Sequence, residues 1–223
     1  MIRNILIGLG AIIGIVAAIV FFRTASYGAD PVGARVTLPE APEISADRGA
    51  QNLAAAIRFR TITVAPGDPR PGQEEPWIQL HQWLEQTYPA AHAAMQKELV
   101  PGTLTLLYTW EGSDPTLKPI LLMAHQDVVP VNIGTEGDWT GAPFDGDIVD
   151  GYVYGRGTID DKGSLVALME AAEALATSGF QPKRTVYFMF GHDEEVSGSG
   201  AQAGVAQLQS RGIEPEMALD EGF

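Results

Sequence analysis

The segment ILLMAHQDVVP (residues 120–130) is an apolar run that ends in a histidine and an aspartate two residues apart. Its nearly continuous apolar part, residues 119–124, is typical of an inner strand that is covered on both faces of a sheet. Ionisable groups at the end of such a strand must be satisfied inside the protein or must bind something. We therefore expect a buried strand that delivers His125 and Asp127 to a functional edge of the sheet.

Helical and extended patterns alternate on either side of this strand. Helices are predicted at residues 45–60, 76–87, 163–178 and 203–210, strands at 103–110, 119–124, 185–190 and 217–219, and a hairpin at 147–157. This alternation predicts an α/β fold: a mixed, largely parallel sheet sandwiched by helices within residues 45–223. The sequence shows no internal repeat.

The N-terminus carries an uncharged apolar run from Ile5 to Phe22, flanked by Arg3 and Arg23. As a helix it would be about 27 Å long, close to a hydrocarbon core of about 30 Å. A cleaved signal peptide is the alternative, although its apolar part is normally only ~7–15 residues long.

We expect a signal anchor over residues 1–23, followed by a Pro- and Gly-rich linker over residues 24–44. The protein would then be single-pass, with its catalytic domain extracytoplasmic or lumenal; the alternative is a secreted protein. Arginines at both ends of the apolar run leave its orientation open.

Composition narrows the possible partners. The formal net charge is -14, from 28 acidic against 14 basic residues, and no basic patch with interleaved aromatics is present. Such a chain repels phosphate backbones, which argues against a nucleic-acid partner. Because the chain has no cysteine, it has neither disulfides nor a thiolate site, and any metal ion would take histidine and carboxylate ligands.

Four pairs of ionisable residues follow predicted strands or the hairpin. They are His125 with Asp127, Asp160 with Asp161, Glu194 with Glu195, and Asp220 with Glu221. Taken singly, each pair has an ordinary interpretation as a core histidine, a helix cap or a solvated loop. Because the carboxyl ends of strands line the binding crevice of an open α/β sheet, their joint placement indicates one site.

Clustered carboxylates require a counter-charge. Two of them 4 Å apart repel by about 4 kcal/mol at an effective dielectric of 20, so some are protonated or divalent cations lie between them. One imidazole with several carboxylates suits zinc, manganese or cobalt, and a carboxylate bridging two ions would account for the number of acids. Of Glu194 and Glu195, adjacent on an extended segment, we expect one to bind metal and the other to face the substrate water.

Other ionisable residues are expected to have structural roles. His81 and His92 have no ligands at suitable spacing, and His192 is expected to be structural or to support the site. Asp145 and Asp147 are expected to be solvated turn residues.

The successive motifs resemble those of the clan of dinuclear zinc amidohydrolases that includes carboxypeptidase S, aminoacylase and succinyl-diaminopimelate desuccinylase. MAHQDVVPV begins at Met123, the segment from WTGAPF to MEAAEAL begins at Trp139, FGHDEEVSGSGA begins at Phe190 and ALDEGF begins at Ala218. The resemblance runs from about Ser45 to Phe223. The apolar N-terminus, RFRTIT and the extended HQDVVPV look most like the carboxypeptidase S branch.

The resemblance implies a role for six residues. His125 and Asp220 would bind the first zinc, Asp160 would bridge both ions, and Glu195 would bind the second, with cobalt or manganese as possible substitutes. Asp127 would orient the imidazole of His125, and Glu194 would be the general base that passes a proton to the leaving amine. The peptide bond that follows the bridging Asp160 is expected to be cis.

The chain departs from the clan at one point. The clan completes its second zinc site with a distant histidine and recognises substrate with an inserted lid domain, whereas no histidine follows His192 here. We therefore expect a truncated zinc metallopeptidase, poorly folded and inactive alone, that could form a homodimer only with its lid domain.

The implied reaction of the parent enzyme is hydrolysis of an amide next to a free carboxylate, in a peptide or an N-acyl amino acid. The alternatives are an N-acyl amino acid hydrolase, which would also condense in reverse, and an inactive anchored scaffold.

Overall fold

A computed structural model describes residues 2–26 and 41–221. The predicted linker, residues 24–44, lies mostly outside them. The chain divides into two units, Met1–Ala41 and Pro42–Phe223. The described part of the first unit is the helix α1, Ile2–Ser26. Within it, Ile7–Ser26 has a mean hydropathy of 2.2, so it is long and apolar enough to cross a membrane, a property that signal sequences share.

The second unit is a mixed α/β domain. Its helices are α2 Ala46–Ile57, α3 Glu75–Thr87, α4 Pro89–Ala94, α5 Lys162–Thr177 and α6 Ser199–Ser210. Its strands are β1 Gln96–Leu99, β2 Leu106–Trp110, β3 Ile120–His125, β4 Asp147–Val149, β5 Tyr152–Tyr154, β6 Val186–Gly191 and β7 Met217–Leu219. A short 3₁₀ turn covers Glu136–Asp138.

Five strands form one sheet in the order β1-β2-β6-β3-β7, and β4 pairs with β5 as a separate hairpin. Strand β3 runs parallel to both of its neighbours, β6 and β7, as expected for an inner strand. The pairs β1–β2 and β2–β6 are antiparallel. The sheet is therefore mixed, and the expectation of a largely parallel sheet holds only for its β6–β3–β7 half.

Side chains alternate between the two faces of the central strands. On one face, Tyr108, Phe188 and Phe190 pack in a cluster with residues of α3, α4 and α5, including Leu84 and Met169. On the other face, a smaller cluster includes Leu107, Leu121 and Met189 with Leu208 of α6. Because a strand exposes successive side chains to opposite sides, continuous apolar strands here require helices on both faces.

One strand and one α-helix were absent from the sequence-based expectations. Strand β1 (QKEL) is short and polar, so it carries no apolar signal, and α4 (PAAHAA) has only six residues. The start of α2 was correctly predicted, since the Ser45 hydroxyl accepts a hydrogen bond from the Arg48 amide (3.3 Å) and caps the helix.

Helix α2 is tied to the start of α5 by a buried lysine. The ammonium of Lys162, with no exposed surface, donates hydrogen bonds to the carbonyls of Ala56 (3.1 Å) and Phe59. Burial lowers the pKa of Lys162 to about 7. This contact fixes the turn before α5, and that turn carries Asp160 and Asp161.

Candidate metal and catalytic site

The imidazole of His125 lies at the carboxyl end of β3, where three carboxylates approach one of its nitrogens. His125 is the last residue of the strand and has 1% of its surface exposed. Its Nε2 is 2.8 Å from Asp160 Oδ1, 3.2 Å from Glu221 Oε1 and 3.8 Å from Glu194 Oε2. These acids come from three segments far apart in sequence.

The other imidazole nitrogen is held from behind. His125 Nδ1 is 3.0 Å from the backbone carbonyl of Asp127, to which it is placed to donate, and 3.3 Å from Asp127 Oδ1. With a proton on Nδ1, the lone pair of Nε2 faces the three acids. Since lone pairs and carboxylate oxygens repel one another, the site requires a proton or a cation at this point.

The pKa values show the strength of this requirement. Burial alone would lower the pKa of His125, but the nearby carboxylates of Asp127, Glu221 and Asp160 reverse this effect and raise it to about 10. Burial, together with its acidic neighbours, raises the pKa of Glu221 to about 7 despite the opposing effect of His125. Burial, together with nearby acids, also raises the pKa of Glu194. The shifts of the two glutamates reflect burial together with nearby negative charge, and that of His125 reflects its carboxylate neighbours.

The donor set suits a divalent cation. Among the described residues, His125, Asp160 and Glu221 form a group whose potential ligand atoms all lie within 4.8 Å of one another. In that part of the chain, the buried Oε2 of Glu221 has no hydrogen-bond partner. One imidazole nitrogen with carboxylate oxygens is a donor set that first-row divalent metals accept.

The acid that the structure places beside His125 at the end of the chain is Glu221, 3.2 Å from Nε2, whereas the resemblance gives a metal ligand at its neighbour Asp220. Asp220 is exposed, and its Oδ1 accepts a hydrogen bond from the Glu221 amide (3.0 Å). Asp220 still lines a small cavity with His125 and Glu194, but it lies outside the group described above. Adjacent residues of an extended segment point in opposite directions, and the motif ALDEGF does not indicate which acid faces His125.

Glu194 and Glu195 lie on a turn after β6, not on the extended segment assumed from the sequence. Their carboxylates nevertheless separate. Glu194 faces His125 and is about half exposed (51%), whereas Glu195 Oε1 accepts a hydrogen bond from the Val129 amide (3.3 Å). Thus the structure brings Glu194 to the imidazole and places Glu195 at the segment that follows Asp127.

Asp127 holds the backbone of both glutamates. It is fully buried. Its Oδ1 accepts a hydrogen bond from the Glu194 amide (2.9 Å), and its Oδ2 accepts from the Glu195 amide (3.1 Å) and from the Thr63 hydroxyl (2.7 Å). Asp127 therefore connects the imidazole to the glutamate turn. Thr63 was not identified from the sequence, although it lies in the RFRTIT segment.

A second buried carboxylate, Asp193, holds the same turn from its other side. Its Oδ2 accepts hydrogen bonds from the Ser197 hydroxyl (2.7 Å) and from the hydroxyl (2.5 Å) and amide (3.1 Å) of Ser199. Its Oδ1 accepts from the Gly200 amide (2.8 Å), so it caps the first turn of α6. Sequence reasoning missed Asp193, because one acid in a run of three gives no sign of which is buried.

The peptide bond between Asp160 and Asp161 is cis, as the resemblance implied. The two side chains have different environments: that of Asp160 is 54% exposed, whereas Asp161 is fully buried. The Oδ2 of Asp161 accepts a hydrogen bond from the backbone amide of His125 (3.2 Å), and burial raises the pKa of Asp161. Asp161 thus joins this turn to the end of β3.

The remaining histidines have structural contacts. His81 Nε2 lies 2.6 Å from the Gln126 side-chain oxygen, and His92 Nε2 lies 3.2 Å from the Tyr108 hydroxyl. His192 Nδ1 lies 3.0 Å from the Thr105 hydroxyl. Burial lowers the pKa of His81 to about 4. His81 lies directly behind the His125–Asp127 segment, which the sequence did not reveal.

Residues 121–222 match peptidase family M20/M25/M40. The chain is 41% identical over 176 residues to the probable carboxypeptidase S-like 2 of Dictyostelium discoideum, covering 78% of this chain and 33% of that protein. It is 44% identical over 164 residues to carboxypeptidase S of Saccharomyces cerevisiae, covering 71% and 28%. It is 51% identical over 116 residues to the human N-fatty-acyl-amino acid synthase/hydrolase PM20D1, covering 52% and 22%.

Solved structures share the fold. Human carnosine dipeptidase 1 matches with a TM-score of 0.62 at 22% identity, over 80% of this chain and 39% of that chain. The M20 family metallo-carboxypeptidase Sso-CP2 of Sulfolobus solfataricus matches with a TM-score of 0.61 at 19% identity, over 78% and 37%. The chain thus spans about a third or less of the length of these curated relatives (22–33%).

Proposed function

We propose that this chain, which belongs to peptidase family M20/M25/M40 through residues 121–222, carries the metal-binding part of a hydrolase centre. The proposed reaction is cleavage of an amide next to a free carboxylate. The observation that carries the proposal is the convergence of three carboxylates on Nε2 of His125.

In this proposal the site holds two divalent ions, zinc by preference, with cobalt or manganese as substitutes. His125 and Glu221 would bind the first ion, Asp160 would bridge both, and Glu195 would bind the second. Glu221 takes the place that the resemblance gave to Asp220, because its carboxylate lies 3.2 Å from the imidazole. The buried Oε2 of Glu221 would thereby gain a partner.

When bound, divalent ions lower the pKa of water and polarise the scissile carbonyl. The residues of this chain would do the rest. Glu194 is half exposed, has a raised pKa and faces the space in front of His125. In this position it would take a proton from the attacking water and deliver it to the leaving nitrogen. Asp127 would keep His125 and the glutamate turn in register.

An N-acyl amino acid hydrolase is the second candidate. It is supported by the 51% identity to a human protein named as an N-fatty-acyl-amino acid synthase/hydrolase. Both candidates break an amide beside a carboxylate, and the described site residues serve either reaction.

We further propose that α1 is an uncleaved signal anchor, with the catalytic unit on the extracytoplasmic or lumenal side. The support is the length and apolarity of Ile7–Ser26. An epitope tag placed after Phe223 should remain with membranes after alkaline extraction and be protected from protease in sealed vesicles. Release of the tag into the soluble fraction would favour a cleaved signal sequence.

The catalytic proposal can be tested in a chimera. The matched segment of S. cerevisiae carboxypeptidase S is replaced by the corresponding segment of this chain, and hydrolysis of a blocked dipeptide is compared with that of an N-acyl amino acid. We expect Glu194→Gln to lower kcat by roughly a thousandfold with zinc content retained, and Asp160→Ala to lose zinc.

Glu214→Gln is the matched control, since Glu214 is exposed and forms an ion pair with the exposed Lys118, away from the site. Full activity in the Glu194→Gln chimera, or full zinc content in the Asp160→Ala chimera, would contradict the proposal. Preference for the N-acyl amino acid would favour the second candidate.

A further inference from the structure

The segment that follows α2 lies against the loop that carries His125 and Asp127. The Val128 amide donates to the carbonyl of Thr61 (2.9 Å), and the Thr63 amide donates to the carbonyl of Val128 (3.1 Å). Ile62 and Val128 form a parallel bridge. Thr61–Thr63 is thus an added strand-like support, next to the site but without a residue in the proposed metal group.

Two threonines of this segment donate to neighbouring residues of the loop, and both are fully buried. The Thr61 hydroxyl donates to the backbone carbonyl of Gln126 (2.6 Å). The Thr63 hydroxyl donates to Oδ2 of Asp127 (2.7 Å). The first contact fixes only the main chain, whereas the second fixes a carboxylate that has further partners.

Those further partners make the orientation of the Asp127 carboxylate important. Its two oxygens accept the amides of Glu194 (2.9 Å) and Glu195 (3.1 Å), and Oδ1 also lies 3.3 Å from Nδ1 of His125. Rotation about the terminal carboxylate torsion is soft. Within residues 2–26 and 41–221, the Thr63 hydroxyl is the one hydrogen bond to this carboxylate that comes from neither the His125 loop nor the glutamate turn. It can therefore set the plane of the carboxylate independently of both.

We propose that Thr63 is a positioning residue for the site, acting through the carboxylate of Asp127 on the Glu194–Glu195 turn. The effect on metal binding rests on the proposed function, because Glu195 and His125 would be ligands of different ions. The effect on the two amides does not depend on any metal.

The first test is amide hydrogen exchange of the metal-free 223-residue chain in detergent micelles. Thr63→Val keeps the side-chain shape and removes the hydroxyl, and it should speed exchange of the Glu194 and Glu195 amides by about tenfold. Thr63→Ser keeps the hydroxyl and should exchange as the wild type does. Thr61→Val is the matched control, being equally buried and adjacent, and should leave both amides unchanged.

The second test is zinc affinity of the same four chains, measured by competition with a chromophoric chelator. Thr63→Val should bind zinc roughly tenfold more weakly, the scale typical for a residue that supports metal ligands. Thr63→Ser and Thr61→Val should match the wild type.

These outcomes distinguish the proposed function from the positioning role of Thr63. A wild-type chain that binds no zinc refutes the proposed function, while amide exchange still decides the role of Thr63. Equal acceleration by Thr61→Val and Thr63→Val, or loss of protection in Thr63→Ser, overturns the positioning role. If Thr63→Val does not fold, Thr63→Ala replaces it with the same expected result.

Discussion

The acids in front of His125 and the acids behind it have the same chemistry but opposite surroundings. Behind the imidazole, each carboxylate oxygen of Asp127 and Asp193 accepts at least one N–H or O–H donor. In front, Asp160 and Glu194 face the imidazole and one another, and Glu221 has a buried oxygen without a partner among the described residues. The number of donors, and not the residue type, distinguishes Asp127 and Asp193 from Glu221.

This contrast has a physical basis. Several hydrogen bonds to a buried carboxylate stabilise its ionised form and the fold around it. The carboxylates in front share one imidazole as their partner and still repel one another, and a bound cation relieves this repulsion. We therefore expect the acids in front to stabilise the metal-free protein less than those behind.

The largest expected effect is on stability, from removing an acid behind the imidazole. Asp193→Ala removes a fully buried carboxylate and leaves the amides of Ser199 and Gly200 without their acceptor, which should cost about 3 kcal/mol of unfolding free energy. Asp160→Ala, in front, should cost nothing or increase stability in the absence of metal. Urea denaturation in a chelator measures both, and equal destabilisation would remove the distinction.

The next largest effect is on zinc affinity, from removing an acid in front of the imidazole. Glu221→Ala should weaken zinc binding by at least about tenfold, because it removes the carboxylate oxygen that lies nearest to Nε2 of His125 after that of Asp160. Asp220→Ala, one residue earlier and exposed, should change zinc affinity little. Zinc competition titrations compare the two variants, and a larger effect at Asp220 would restore the assignment taken from the resemblance.

The third expected effect is a gradual loss of metal-free stability with rising pH. The pKa of Glu221 is raised from 4.5 to about 7 and that of His125 from 6.5 to about 10. Between the ordinary and the raised pKa of each group, the folded state binds a proton that the unfolded state has lost. The unfolding free energy therefore falls as the pH increases from 4.5 to 7 for Glu221 and from 6.5 to 10 for His125.

Urea denaturation in a chelator across pH 5–10 measures this loss, and His125→Gln should remove the upper window. Stability that rises between pH 7 and 10 in the wild-type chain would contradict the charge arrangement in front of the imidazole.

The sequence predicted the elements with strong apolar patterns. Strand β3 and its terminal His125 could be read from ILLMAH, and the four pairs of ionisable residues were expected at one edge. Strand β1 was missed because it is polar and gains its hydrogen bonds only by pairing with β2. A mixed sheet was predicted, but the extent of its antiparallel half was underestimated, since strand direction depends on tertiary pairing.

The site was predictable only at the level of segments. The choice between Asp220 and Glu221 depends on which way a side chain points after Leu219, and no pattern encodes that. Asp193 and Thr63 act through hydrogen bonds that form in the folded chain. Thr63 and its partner Asp127 are separated by 64 residues.

The shared attachment of Glu194 and Glu195 has a practical consequence. Their amides, not their carboxylates, bond to Asp127, so these two attachments of the main chain persist when the side chains are exchanged. The two glutamates can therefore be exchanged separately for glutamine, aspartate or alanine as chemical probes. Any change in proton transfer or ion binding would then report the altered side chain itself, without collapse of the loop that displays it.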